Sequence, residues 1–147
     1  MHKEATAIWK GGPLAGEGRV YTPSGALAGT VFSLGHPLMD GLCTNPCEIL
    51  AAAQAACIAS MIAAEISASH MAPMEVEAKA TVTLERKAAW RITAITVDVV
   101  AHAEHPDTEK FEAAVRRAEE HCPITQLFNV KPVIQARLFP AIPADVA

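Results

Sequence analysis

Thr44-Asn45-Pro46-Cys47-Glu48-Ile49-Leu50-Ala51-Ala52-Ala53-Gln54-Ala55-Ala56-Cys57, continued by IASMIAA to Ala64, is the stretch that decides how this chain folds. Thr44-Asn45-Pro46 predicts a helix start. A side-chain oxygen can cap the first unpaired N–H groups, and proline fits the first helical position, where its missing N–H is not needed. From Ile49 to Ala64 only Gln54 and Ser60 are not apolar, so the helix has almost no water-facing stripe and calls for burial all round. The run falls short of the roughly 20 apolar residues a bilayer requires. It is also dominated by Ala, with Glu48 and Glu65 near its ends, so burial inside protein is expected rather than a membrane span. One sheet can cover only one side of such a helix, and the other side is expected to meet a second copy of the chain in a homodimer.

On the amino-terminal side, three short segments, ATAIWK, GRVYT and GTVFSL, are separated by Gly11-Gly12-Pro13 and Pro23-Ser24-Gly25. This reads as an antiparallel meander. It is followed by Gly35-His36-Pro37 and a loop through Asp40-Gly41. On the carboxy-terminal side, beyond Ser69-His70 and Pro73, the period becomes two. Val76, Ala78, Ala80, Val82 and Leu84 alternate with Glu75, Glu77, Lys79, Thr81, Thr83 and Glu85, as in a half-buried strand. Arg86-Lys87-Ala88 can turn the chain into a second strand from Trp90 to about Ala103. The alternation of this strand slips between Ile92 and Ile95, where a bulge is expected, and the two strands should pair as a hairpin.

Pro106-Asp107-Thr108 opens an amphipathic helix with Phe111, Ala114, Val115 and Ala118 on one face and Glu112, Arg116, Glu119 and Glu120 on the other. At His121-Cys122-Pro123 it breaks, because a residue before proline is pushed out of the helical region. Pro123 can begin a short new helix through Phe128, and Lys131 to Phe139 reads as a last strand.

With 147 residues, of which 51% are hydrophobic and 19% charged, the chain has the size of one domain, 1–147. The net charge of −4 gives no basic footprint, so neither nucleic acid nor an anionic membrane surface is an expected partner. MHKEATAIWKGG lacks the apolar run and cleavage site of a secretory signal, and a cytoplasmic location is expected. There Cys43, Cys47, Cys57 and Cys122 should rest as thiols: core residues, metal ligands or redox centres. Their spacing argues against zinc, since Cys43 and Cys47 are the one close pair. Cys57, in the middle of the apolar helix, can be a small hydrophobe filling a gap. Cys122 sits beside the amino end of the following turn, whose N–H groups favour a thiolate. Cysteines 65 positions apart can meet in space as an attacking and a resolving thiol.

The segment from Thr44 to Cys57 resembles the central-helix motif of the OsmC/Ohr family of thiol peroxidases, in which T-N-P-E-E-L leads to A-x-C. Glu120-His121-Cys122-Pro123-Ile124-Thr125-Gln126 resembles the family's second signature, C-P-[VIY]-[ST]-[QK], and Thr125-Gln126 with the following Leu-Phe resemble the OsmC branch. The resemblance implies an α+β fold of antiparallel sheets wrapped around a long buried central helix, in an intertwined homodimer. It also implies reduction of organic hydroperoxides in oxidative-stress defence, with no metal or organic cofactor. Cys57 matches the peroxidatic cysteine and Cys122 the resolving cysteine, whose disulfide a cellular dithiol reopens. Arg19 matches the arginine that stabilises the thiolate and polarises the peroxide.

One position departs from the pattern. The family glutamate that pairs with this arginine is replaced by Cys47, and Glu48 follows one place later, turned by about 100° around the helix. Either Glu48 reaches in from a shifted helix start, or Cys47 partly substitutes as a thiolate, or activity is weakened. In the last case the chain has drifted towards binding an apolar small molecule or sensing oxidation. Cys47 cannot bond to Cys57 of its own helix, about 15 Å away. His121 can stabilise the Cys122 thiolate. His36 can border the pocket or be solvated, while His102 and His105 lack metal-ligand spacing. Met39, Leu42, Met61, Met71 and Phe128 can line an apolar channel or fill a core.

Overall fold

A computed structural model describes residues 1–12, 15–33 and 43–141. The expectations for Pro13, for the loop from Gly35 to Asp40-Gly41 with His36 and Met39, and for Leu42 lie outside the described residues. The chain divides into two compact units, Met1–Ile49 and Leu50–Ala147.

In the first unit, β1 (Thr6–Lys10), β2 (Glu17–Tyr21) and β3 (Ala28–Phe32) form the expected antiparallel meander. The β2–β3 turn is held by Thr22, whose hydroxyl accepts the Leu27 N–H at 3.0 Å and whose carbonyl accepts that of Gly25 at 2.9 Å. Val20 pairs with Thr30 but Tyr21 with Ala28, so Gly29 is an extra residue, bulged at φ +81°. Gly18 is required for a different reason: a Cβ there would fall 2.3 Å from the Phe32 ring across the ladder.

Helix α1 (Pro46–Ala68) starts where the cap motif predicts, with the Asn45 side chain accepting the Glu48 N–H at 2.9 Å. It ends without glycine. His70 adopts φ 61°, the His70 N–H bonds to the Ser67 carbonyl, and the Met71 N–H bonds back to Ile66, which satisfies the last carbonyls in a Schellman arrangement. The helix has 23 residues, more than the apolar run from 49 to 64, and is long and apolar enough to cross a membrane by length and composition. The length argument against a span is therefore corrected. The helix is placed by its side chains. Gln54, Ile58, Ile62 and Ile66, one turn apart along a single stripe, are fully buried, and the three isoleucines join a core with β5 and α2. Ala52, Ala53, Ala56, Ser60 and Ala64 remain exposed, so burial within the chain covers one side of the helix.

The second unit contains β4 (Pro73–Arg86), β5 (Trp90–Ala103) and β6 (Val133–Pro140), in the order β4-β5-β6. β4 and β5 form the expected hairpin. Thr83 pairs with Ala94 and Leu84 with Ile92, leaving Thr93 as the bulged residue between Ile92 and Ile95. Beyond the bulge, Ile95, Val97, Val99, Ala101 and Ala103 all face the core. Helix α2 (Thr108–His121) is capped by Asp107, which accepts the Lys110 N–H at 3.0 Å, and buries Phe111, Ala114 and Ala118. β6 pairs with β5 in parallel, a correction to the all-antiparallel expectation. Parallel neighbours need a crossover, and α2 is that crossover. The class is α+β, with two helices and two three-stranded sheets among the described residues.

Candidate active site

Two elements of the second unit bring the principal thiols together. On α1, Cys57 lies one turn after Gln54, at the flank of the buried stripe. On α2, Pro123 forces the preceding residue out of the helix, and Cys122 becomes the C-cap with φ −69° and ψ 113°. Its N–H still bonds to the Ala118 carbonyl at 2.9 Å, while its side chain joins the core. The Cys57 and Cys122 sulfurs are 2.8 Å apart in hydrogen-bond contact. Cys122 is 0% exposed and Cys57 is partly accessible.

The two sulfurs have opposite electrostatic settings. Burial pushes the Cys57 thiol above its ordinary range, and the adjoining Cys122 adds to this, against a weaker pull from the Ile124 N–H. Burial works against charge on Cys122 too. There it is outweighed by the hydrogen bond from Cys57, the Thr125 hydroxyl and the N–H groups of Thr125 and Ile124, which together hold Cys122 below the usual thiol range. The turn that supplies these donors is shorter than expected, a single 3₁₀ turn from Thr125 to Leu127. Burial and its neighbour thus disfavour charge on Cys57, while the surrounding donors favour it on Cys122.

Two neighbours complete the site. Gln54 is 0% exposed, its Nε2 donates to the Thr125 hydroxyl at 2.8 Å, and its Oε1 is buried with no partner among the described residues. Gln54 stands out in the sequence only as a lone amide in an apolar helix, and Thr125 only as a signature letter. Their meeting across 71 residues is a tertiary fact. Nearby, Arg117 donates to Glu65 at 2.6 Å and to Ser69 at 3.0 Å, fastening α2 to the end of α1.

The other candidates are placed as follows. Arg19 sits half-exposed on β2, paired with Glu17 at 2.8 Å and donating to the Gly29 carbonyl at 3.2 Å. Glu48 accepts from the Thr44 hydroxyl at the start of α1, and Cys47 is partly buried beside it. The His121 ring is turned to Glu65, 3.7 Å away, and is mostly exposed. His102 bonds to the Pro140 carbonyl and stacks on Phe139. Met71 is core, and Met61 and Phe128 pack against the core from its edge. The four cysteines are outside any disulfide, and among the described residues no group of three His, Cys, Asp or Glu side chains is placed to hold a metal ion.

Comparison with known proteins agrees with the fold. The solved structure of an OsmC-like protein of unknown function from Vibrio cholerae superposes with a TM-score of 0.78 at 13% identity, covering 93% of this chain and 99% of that one. The organic hydroperoxide resistance protein OhrB of Bacillus subtilis gives 0.65 at 20% identity, covering 92% and 98%. In sequence, the chain is 26% identical over 139 residues to Peroxiredoxin OsmC of Escherichia coli K12, spanning 94% of this chain and 97% of that protein. Residues 39–137, which include both cysteine motifs, match the family model described as OsmC-like protein, and the chain is accordingly a member of the OsmC-like family.

Proposed function

We propose that the protein is a thiol-dependent peroxidase that reduces organic hydroperoxides in oxidative-stress defence, with Cys57 as nucleophile and Cys122 as resolver. The observation that carries this reading is the 2.8 Å approach of two thiols 65 residues apart, one accessible and the other buried among hydrogen-bond donors. Cys57, as its thiolate, attacks the distal peroxide oxygen. The O–O bond breaks, the leaving alkoxide takes a proton to become the alcohol, and Cys57 becomes a sulfenic acid. Cys122 then attacks the Cys57 sulfur, forming the disulfide and releasing water. A cellular dithiol reopens it, becoming a disulfide itself. The cycle uses no metal or organic cofactor, and its setting is the cytoplasm.

Arg19 is the cation assigned to activate Cys57, and Cys47 and Glu48 are its candidate neighbours at the motif. The working unit is a single domain, 1–147, in an intertwined homodimer. The exposed Ala52, Ala53, Ala56, Ser60 and Ala64 side of α1 supports that assembly, because an apolar helix face of small residues is stable when another surface packs against it.

A second reading, a weakened enzyme that binds an apolar small molecule or senses oxidation, is favoured by two observations. Glu17 already neutralises Arg19, while Cys47 stands in place of the family glutamate. The deciding measurement is consumption of cumene hydroperoxide under a dithiol, comparing the parent with Cys57→Ser, Cys122→Ser, Arg19→Ala and Cys47→Glu. Loss of activity in Cys57→Ser is the expected result. Equal slow consumption by parent and Cys57→Ser would defeat the peroxidase reading, and a large gain in Cys47→Glu would measure what the departure cost.

A further inference from the structure

Gln54 is the one fully buried polar side chain of α1, and burying an amide without purpose is costly. Its surroundings form a directed chain. The Gln54 Nε2–H donates to Thr125 Oγ1 at 2.8 Å, Thr125 lies three residues after Cys122 in the turn whose donors favour charge on the Cys122 sulfur, and that sulfur touches Cys57 at 2.8 Å. A hydroxyl has one proton and two acceptor lone pairs. When an amide N–H occupies a lone pair, the hydroxyl proton is left for the sulfur. The reverse placement of the amide would draw that proton to Gln54 and leave a buried NH2 with two unused donors. The placement observed instead leaves one carbonyl oxygen unpartnered.

We propose that Gln54 is a positioning residue whose amide aims the Thr125 hydroxyl at Cys122, making Cys122 the leaving sulfur when the Cys57–Cys122 disulfide is reopened. This rests on the thiol-peroxidase reading. An incoming thiolate bonds to the Cys57 sulfur, the S–S bond breaks, and its electron pair leaves on Cys122, where the Thr125 hydroxyl and the N–H groups of Ile124 and Thr125 receive the charge. A second thiolate then attacks the reductant's own sulfur in the mixed disulfide and releases Cys57. The direction also agrees with access, because Cys57 is reachable and Cys122 is not. Thr125 touches the reacting sulfur, whereas Gln54 acts through Thr125.

The experiment opens the preformed disulfide with 2-mercaptoethanol, quenches with iodoacetamide, and maps the adducts by peptide mass spectrometry. The disulfide is formed with cumene hydroperoxide and, in parallel, with diamide. Failure of the peroxide arm alone would count against peroxidase activity while leaving this test intact. The parent should carry mercaptoethanol on Cys57 and the alkyl group on Cys122, with about a tenfold preference. Thr125→Val should slow opening about three- to tenfold and erode the preference, with Thr125→Ser restoring both. Gln54→Leu should move both readouts part of the way in the same direction, and should add little in the Thr125→Val background, as members of one network do. Mercaptoethanol on Cys122 in the parent would overturn the proposal. So would a Gln54→Leu effect that is absent, or that adds in full to that of Thr125→Val.

Discussion

Oxidising the Cys57–Cys122 pair should stabilise the fold, and the structure sets the scale. The bond would close a loop spanning 65 positions. In the chain-entropy treatment a loop of that length removes about 4 kcal/mol of freedom from the unfolded chain. The enthalpic penalty should be small, because sulfurs at 2.8 Å need to approach by only about 0.8 Å to reach bonding distance. With a urea dependence of about 2 kcal/mol per molar, the full effect moves the unfolding midpoint by about 2 M. The assay is urea unfolding by far-ultraviolet circular dichroism of the dithiol and disulfide forms, at one fixed protomer concentration so that assembly does not contribute. A Cys43→Ser, Cys47→Ser background keeps the disulfide from reshuffling. An oxidised form that unfolds at the same or lower urea would refute the reasoning, since it would mean that bonding distorts the native state by as much as it restricts the unfolded one.

Two further outcomes test the packing around the site. Ile62→Ala, in the fully buried stripe of α1, should cost about 2–5 kcal/mol, read as a fall in the same midpoint; a change below 1 kcal/mol would show a site that collapses freely. Glu65 is held below the usual carboxylate range, chiefly by the hydrogen bond from Arg117. A depressed carboxylate contributes stability above its unfolded pKa and loses it as pH falls through its folded pKa. Glu65→Gln should therefore melt below the parent at neutral pH, and the gap should close in acid, as checked by thermal midpoints across that range.

Much of the fold was legible because local chemistry specifies it. Thr44-Asn45-Pro46 marks the start of α1, Cys122-Pro123 the end of α2, and the slip between Ile92 and Ile95 the bulge at Thr93. The parallel pairing of β6 was not legible, since the alternation of a strand states which face is buried and not which neighbour it joins or in which direction. The closing turn of α1 at His70 was not legible, because a histidine takes there the left-handed conformation that favours glycine. In the site, the two cysteines were visible through their motifs. The Gln54–Thr125 hydrogen bond was not, because it joins residues 71 positions apart that have no pattern in common. The Glu17–Arg19 pair was within reach, since residues two apart on a strand share a face.

The parallel strand at the carboxy end also bears on how the molecule comes into being. β4 and β5 are a hairpin of neighbours and can pair as soon as both have left the ribosome, but β6 can dock only after the α2 crossover has swung back over the sheet. Cys122 travels within that crossover. During synthesis the two sulfurs can therefore meet only after the α2 crossover has been made, so the redox pair is assembled later than the β4–β5 hairpin.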